Sequence, residues 1–272
     1  MPEGHTLYRL ARDQSLAFAG RPVHVTSPQG RFAAGAALLD GRVLDEVTSW
    51  GKHLFACFGA DTLHVHLGLY GSYTSGTGTP PPPRGAVRMR WEGDGPGGPD
   101  GLGVWTDLRG PTACEVLTTP EVERLVARLG PDPLRPRSDG TLAHRRIAGS
   151  RTAIGALLMD QSVLAGVGNV YRAEILFRHG VSPFRPGREV DAELWDRMWR
   201  DLVVLMRAGV RMGRIVTTRP EHRTRRGGAV RREDAHYVYR RTGLPCRICG
   251  TAVRTEVMAG RNVYWCPVCQ SA

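Results

Sequence analysis

The chain has 272 residues, 41% of them hydrophobic and 23% charged, which excludes a mainly disordered or fibrous protein. Thirty-seven Lys and Arg against 26 Asp and Glu give a net charge of +11 and favour a polyanionic partner, nucleic acid ahead of an acidic membrane surface. No run approaches the roughly eighteen apolar residues of a membrane span, and Met1-Pro2-Glu3-Gly4-His5 lacks the basic-then-apolar order of a secretory signal. A cytoplasmic protein with no membrane partner is therefore expected, and the length predicts two or three domains.

From Leu38 to Leu117, short runs rich in Val, Leu, Phe, Tyr and Trp are broken by Gly and Pro, as in Trp50 to Phe58, Thr62 to Tyr73, Val87 to Trp91 and Gly103 to Asp107. These predict strands, with Gly51-Lys52-His53-Leu54-Phe55 lying on one of them. Two insertions, Ser75 to Gly85 with Pro80 to Pro83 inside it and Gly93 to Gly103, read as surface loops. Thr119-Pro120-Glu121-Val122-Glu123 is a helix start with acidic residues in its first turn; Val122, Leu125, Val126 and Leu129 share a face, and Gly130-Pro131 ends the helix. Helical spacing continues over Leu142 to Asp160, Val170 to His179 and Ala192 to Met212. Between Arg214 and Arg232 the chain is polar and basic, with Arg214, Arg219, Arg223, Arg225, Arg226, Arg231 and Arg232, and reads as a flexible loop: a solvated linker, a segment that orders on DNA, or both.

Near the C-terminus Cys246-Arg-Ile-Cys249 and Cys266-Pro-Val-Cys269 are separated by sixteen residues. Without an export signal, two C-x-x-C units predict one structural Zn2+ in a four-thiolate site rather than disulfides, and the βαβ setting of a redox dithiol is absent. The surrounding module is too small to fold without metal. Cys57 and Cys114 stand alone among apolar neighbours and read as inert thiols.

The other chemistry sits at the N-terminus and in the middle of the chain. Removal of Met1 before the small Pro2 would leave a secondary amine, and an α-amino group titrates at about 8, so part of it is a neutral nucleophile at physiological pH, able to attack a sugar C1′. Glu3 beside it offers a carboxylate for general-acid work once its surroundings raise its pKa. In Gly166-Val167-Gly168-Asn169 the glycines let the backbone approach an anion, and the amides of a helix starting near Asn169 would point at a phosphate. A dinucleotide loop is the alternative, but the third glycine is missing and the segment follows a helix rather than a strand. His64 and His66 alternate on one strand face; without a carboxylate they make no metal site, and packing or hydrogen bonding is their expected role.

Pro2-Glu3, Lys52 in its Gly-Lys segment, Gln161 to Tyr171 and the paired cysteines occur in the order of the formamidopyrimidine-DNA glycosylase and endonuclease VIII family of base-excision repair enzymes, and the chain resembles that family over nearly its whole length. The resemblance implies an α+β multidomain fold: an N-terminal β-sandwich catalytic domain (1–117), a helical domain with a helix–two-turn–helix and the basic loop 214–232 (118–232), and a C-terminal zinc ribbon (233–272), with damaged DNA between the lobes of a monomer. It implies a bifunctional DNA glycosylase and abasic-site lyase, with Pro2 as nucleophile, Glu3 protonating the opening sugar and Lys52 steadying a phosphate. Asn169 and Arg261 would hold the DNA backbone, Leu69 and Tyr70 would form the wedge that fills the vacated space, and Arg109 would face the opposite strand.

Two departures qualify the resemblance. Pro111 stands where the family has an aromatic residue two positions after the arginine, which points toward the endonuclease VIII branch and oxidised pyrimidines. Thr6 replaces a second carboxylate of the catalytic pocket, so base excision is the doubtful step, whereas Pro2, Glu3 and Lys52 suffice for strand cleavage at an abasic site. The rivals are an abasic-site lyase with little glycosylase activity and a non-catalytic zinc-dependent DNA-binding protein. A zinc-ribbon transcription factor gives no reason for Pro2, Glu3 and Lys52 to occur together.

Overall fold

The computed structural model describes residues 2–94, 103–225 and 227–271, which divide into two units, residues up to Arg128 and residues from Leu129. Met1, Arg226 and most of the Gly93 to Gly103 loop lie outside the described residues.

The first unit opens with α1 (Gly4–Phe18), whose Leu7, Ala11 and Phe18 recur at helical spacing on the buried side. It continues through β1 (Arg21–Thr26), α2 (Ala33–Leu39), β2 (Arg42–Leu44), β3 (Glu46–Trp50), β4 (His53–Phe58) and β5 (Asp61–His66). After these come β6 (Ser72–Thr77), β7 (Val87–Gly93), β8 (Val104–Arg109), β9 (Ala113–Thr118) and α3 (Thr119–Ala127). The strands form two antiparallel sheets, ordered β2-β1-β7-β8-β6 and β3-β4-β5-β9. Val23, Val25, Met89, Trp91 and Leu108 from one sheet and Leu54, Ala56, Phe58, Leu63 and Val65 from the other share one core, closed by α1. This is the β-sandwich that alternating strands require when only one face of each sheet is apolar.

Three segments differ from their sequence reading. Gly51 and Lys52 are not on a strand: Trp50 pairs with His53, so the two residues form the whole connection between β3 and β4. Gly51 has φ +58°, as the first central position of a two-residue hairpin turn requires. The run Thr62 to Tyr73 is broken after His66 by a turn closed by the Gly71 amide donating to the Leu67 carbonyl at 2.9 Å. Strand β6 in turn extends to Thr77, three residues into the expected Pro-rich loop. Helix α3, with a Thr118/Glu121 capping box, packs on β9 and β5 within this first unit.

The second unit contains α4 (Thr141–Ala148), α5 (Ile154–Leu157), α6 (Asn169–Arg178), α7 (Ala192–Met212), β10 (Arg254–Met258) and β11 (Arg261–Trp265). The helical run expected over Leu142 to Asp160 is two helices, because Ser150 Oγ takes the Thr152 amide at 3.1 Å and Ala153 bridges to Pro186. Helix α6 is buried from Asn169 to Phe177 and packs against α5, α7 and β11. Helix α7 starts where Asp191 caps the Leu194 amide at 2.7 Å and buries Trp195, Met198, Trp199, Leu202 and Met206 along one stripe. Parts of the basic segment are anchored by hydrogen bonds. Buried Thr217 and Thr218 bond to the Ala235 and Asp234 carbonyls, Arg214 reaches the Val230 carbonyl at 2.6 Å, and Arg247 pairs with buried Asp234 at 3.1 Å.

Candidate active site and DNA-contact residues

At the head of α1, Pro2 is half-buried and Glu3, with extended backbone, is fully buried at the N-cap position, its carbonyl accepting the Thr6 amide at 2.8 Å. Helix α1 packs on β3 and β4, the two strands whose connecting turn carries Lys52. Thr6, in place of the second carboxylate, contacts the buried His5 ring at 3.3 Å. Burial, reinforced by the positive chain terminus, lowers the His5 pKa to about 4, so this imidazole is neutral in the fold.

Behind Lys52 lies a hydrogen-bonded row of side chains. His53 Nδ1 and His64 Nε2 are 2.8 Å apart, and His64 Nδ1 is 2.9 Å from Glu115 Oε1. His53 pairs with His66 across β4 and β5, and His64 with Glu115 across β5 and β9, so all four side chains stand on one sheet face. The apolar residues between them, Leu54, Leu63 and Val65, face the core. Burial lowers all three histidine pKa values, that of His53 to about 3, with neighbouring His64, His66, Arg128 and Lys52 adding to the effect. The expectation of a hydrogen-bonding role for His64 is met. Its carboxylate partner, Glu115, comes from β9.

Leu69 and Tyr70 sit in the turn after β5, 42% and 88% exposed. Arg109 lies beside that turn because β6 pairs with β8, with Ser72 opposite Arg109, and the Thr112 amide donates to the His66 carbonyl at 2.8 Å. The Arg109 guanidinium bonds to Asp107 at 2.8 Å and to Thr74 Oγ1 at 3.1 Å, while Asp107 also holds Arg90 by two hydrogen bonds. Arg109 is thus fixed in place by a carboxylate that a second arginine keeps in register. Away from these residues, Cys57 and Cys114 are half-buried, and burial pushes the Cys114 thiol up to about 12, in keeping with an inert side chain.

In the second unit, Gly166 has φ +87°, which lets the chain turn sharply before α6. Gln161 clamps that loop: its amide donates to the Met159 and Val167 carbonyls and accepts the Gly166 amide, all at 3.0 Å. Asn169 is buried at the first position of α6, its side-chain oxygen held by Arg172 Nη2. Arg172 also donates to the Asn262 carbonyl at 2.8 Å and the Gly155 carbonyl at 3.3 Å. Arg261, the residue before Asn262, is exposed at the tip of the β10–β11 hairpin, whose connecting Ala259 and Gly260 both have positive φ. Neither Arg172 nor Gln161 was assigned a role from sequence. The three-residue spacing of Asn169 and Arg172 was the one available signal, since it puts both on the same helix face.

The four sulfurs of Cys246, Cys249, Cys266 and Cys269 lie within 4.8 Å of one another, with Cys246–Cys269 at 3.8 Å and Cys249–Cys266 at 3.4 Å. A tetrahedral zinc with Zn–S bonds of about 2.3 Å needs sulfurs about 3.8 Å apart, so the cluster fits that ion. Amides of Ile248 and Cys269 point at the Cys246 and Cys266 sulfurs at 3.5 Å, stabilising thiolates. Buried Glu174 joins this module to α6 by accepting the amides of Tyr237, Val238 and Tyr239 at 2.7 to 2.9 Å, and the Thr217 hydroxyl as well.

Known proteins match this arrangement along its length. Residues 1–114 match the formamidopyrimidine-DNA glycosylase N-terminal domain, 129–221 the formamidopyrimidine-DNA glycosylase H2TH domain, and 243–272 the zinc finger found in FPG and IleRS. Endonuclease 8 1 of Mycobacterium tuberculosis is 53% identical over 276 residues, covering 100% of both chains. A DNA-(apurinic or apyrimidinic site) lyase, Nei2, of Mycolicibacterium smegmatis is 35% identical, also over 100% of both chains. The fold superposes on Lactococcus lactis formamidopyrimidine-DNA glycosylase bound to abasic-site DNA with a TM-score of 0.80 at 19% identity, covering 99% of this chain and 100% of that one. The chain therefore belongs to the formamidopyrimidine-DNA glycosylase and endonuclease VIII family. Within it, the 53% relative places the chain with the endonuclease VIII branch, and the matched finger makes its four cysteines the ligands of one structural zinc.

Proposed function

We propose that this protein is a bifunctional DNA glycosylase and abasic-site lyase of base-excision repair, that it acts as a monomer on oxidised bases, pyrimidines foremost, and that it cuts the strand by β- and then δ-elimination. One observation carries the reading: Pro2 and buried Glu3 head a helix packed on the two strands whose connecting turn presents Lys52.

Once Met1 is removed, the neutral Pro2 amine attacks C1′ and the bond to the damaged base breaks. Glu3 gives its proton to the sugar oxygen as the ring opens, leaving an iminium at C1′. That cation is an electron sink: loss of the C2′ proton expels the 3′ phosphate, a second elimination expels the 5′ phosphate, and water releases Pro2. Lys52 steadies a phosphate at the reacting sugar, Leu69 and Tyr70 occupy the space the nucleotide leaves, and Arg109 faces the other strand. Asn169 and Arg261 hold the backbone from the second unit, where zinc supplies the rigidity of the finger and takes no part in the chemistry. Pro111 after Arg109 supports the pyrimidine preference.

Thr6 favours a second reading, a lyase with little glycosylase activity, and the relative named as an abasic-site lyase lends it weight. Single-turnover cleavage of two duplexes, one with an oxidised pyrimidine and one with an abasic site, separates the two. Comparable cleavage of both supports the full enzyme; cleavage of the abasic duplex alone supports the second reading.

A further inference from the structure

Glu115, His64 and His53 come from three neighbouring strands and are joined end to end by two hydrogen bonds, and the last of them is the residue after Lys52. An ionised carboxylate can only accept, so Glu115 fixes the His64 proton on Nδ1 and leaves Nε2 as an acceptor. His64 Nε2 faces His53 Nδ1 at 2.8 Å, and His53 must then be the donor. In the neutral His53 ring that places the single proton on Nδ1 and leaves the lone pair on Nε2. Free imidazole side chains prefer the opposite tautomer, so this state reports the remote carboxylate.

We infer that the Glu115–His64–His53 chain is a positioning device for Lys52: it fixes the imidazole beside Lys52 in a single tautomer and orientation, and so holds the turn that offers Lys52 to a DNA phosphate. This rests on the lyase reading of the site above. The groups facing the chain are consistent with it. Lys52 stands at the turn, the His66 ring on β5 is tilted by 49° against His53 with centroids 4.9 Å apart, and Phe55 on β4 stacks on His64 at 5.4 Å. From α3, which packs over β5 and β9, Arg128 follows the last turn, while Glu121 is bound to Thr118 and Arg124 is exposed. Lys52, Arg128 and burial all oppose a charge on His53; Glu115 alone opposes that trend at His64. A proton gained by His64 would set two N–H groups face to face and break the bond to His53, freeing the turn.

The test pairs a tautomer measurement with a rate. Imidazole nitrogen NMR of the zinc-loaded protein at neutral pH should show His53 and His64 protonated at Nδ1, and Glu115→Leu, which removes the acceptor, should release both from that state. Single-turnover cleavage of an abasic duplex should slow about 10-fold in Glu115→Leu and in His64→Leu, as expected for a displaced contact. Glu115→Gln, whose amide oxygen can still accept from His64, should keep both the tautomers and the rate near those of the native protein. Protonation at Nε2 in the native protein overturns the inference, as does full cleavage by Glu115→Leu or His64→Leu. Failure of the native protein to form any borohydride-trapped adduct would defeat the lyase reading, and the role given to the chain with it, whatever the tautomers.

Discussion

Arg172 donates to the side-chain oxygen of Asn169 and, at 2.8 Å, to the main-chain carbonyl of Asn262, so one guanidinium clasps the start of α6 to the zinc hairpin. Asn169 and the neighbour of Asn262, Arg261, are the two residues assigned to the DNA backbone in this unit, and their spacing therefore depends on Arg172 and on the finger. Cys246, Cys266 and Val253 share a core with Val170, Ala173 and Phe177 of α6, so the metal also supports the helix. Chelation, or Cys249→Ser, should loosen α6 as well as the finger and abolish tight DNA binding. Arg172→Ala should cost about 2 to 3 kcal/mol, because it strands buried acceptors. Hydrogen exchange on α6 and the thermal midpoint, with and without chelator, check both expectations.

Tyr70 carries little of the packing in the free protein, since it is 88% exposed. Tyr70→Ala should change stability by less than about 0.5 kcal/mol. Cleavage of a duplex substrate should nevertheless fall roughly 5- to 150-fold, the equivalent of about 1 to 3 kcal/mol of lost stacking. A single-stranded abasic substrate, which leaves no paired stack to fill, should be cut by the variant as by the native protein.

The buried histidines of the first unit make it sensitive to acid. Their pKa values in the fold lie below the ordinary 6.5, at about 4 for His5 and about 3 for His53, with His64 and His66 also lowered. The unfolded chain therefore binds protons that the fold does not. The stability contributed by these neutral rings is complete above pH 6.5 and is lost as pH falls toward 4 and then 3. At about pH 5, where His5 and His53 stay neutral only in the fold, these two alone should give a slope of roughly 2.7 kcal/mol per pH unit. Urea titrations between pH 7 and 4, read by exchange of β4 and β5, measure it.

Binding should be strongly salt-dependent. With about five phosphates neutralised, log K falls against log salt with a slope of roughly −4 to −5, and Arg261→Ala, which removes one contact, should reduce it by about 0.9. Filter binding to an abasic duplex over a range of salt concentrations provides the slope.

What could be read in the sequence was what is local. The two C-x-x-C units require their residue types at fixed short spacing, so they stood out by themselves. Pro2-Glu3 is a common way for a chain to begin and drew attention only in company with Lys52, Gln161 to Tyr171 and the cysteines. Lys52 was misplaced on a strand because a two-residue turn between apolar runs leaves no polar stretch to mark it. The basic segment read as flexible because its anchors are far away in sequence: Asp234 and Ala235 for the threonines, Arg247 from the finger. The chain behind Lys52 was invisible for the same reason. His53 and His64 are 11 positions apart, His64 and Glu115 are 51 apart, and only the registers of three strands bring them together. Arg172 and Asn262, 90 positions apart, are the extreme case.

The central claim is that the amine of Pro2 forms the covalent link to the sugar. Borohydride reduction in the presence of a duplex with one abasic site, using protein shown by intact mass to have lost Met1, tests it directly. A stable protein–DNA adduct is expected from the native chain, weakened by Lys52→Ala and absent from Pro2→Gly. An equal adduct from Pro2→Gly would move the nucleophile elsewhere, and no adduct from correctly processed native protein would leave a DNA-binding relative without the chemistry.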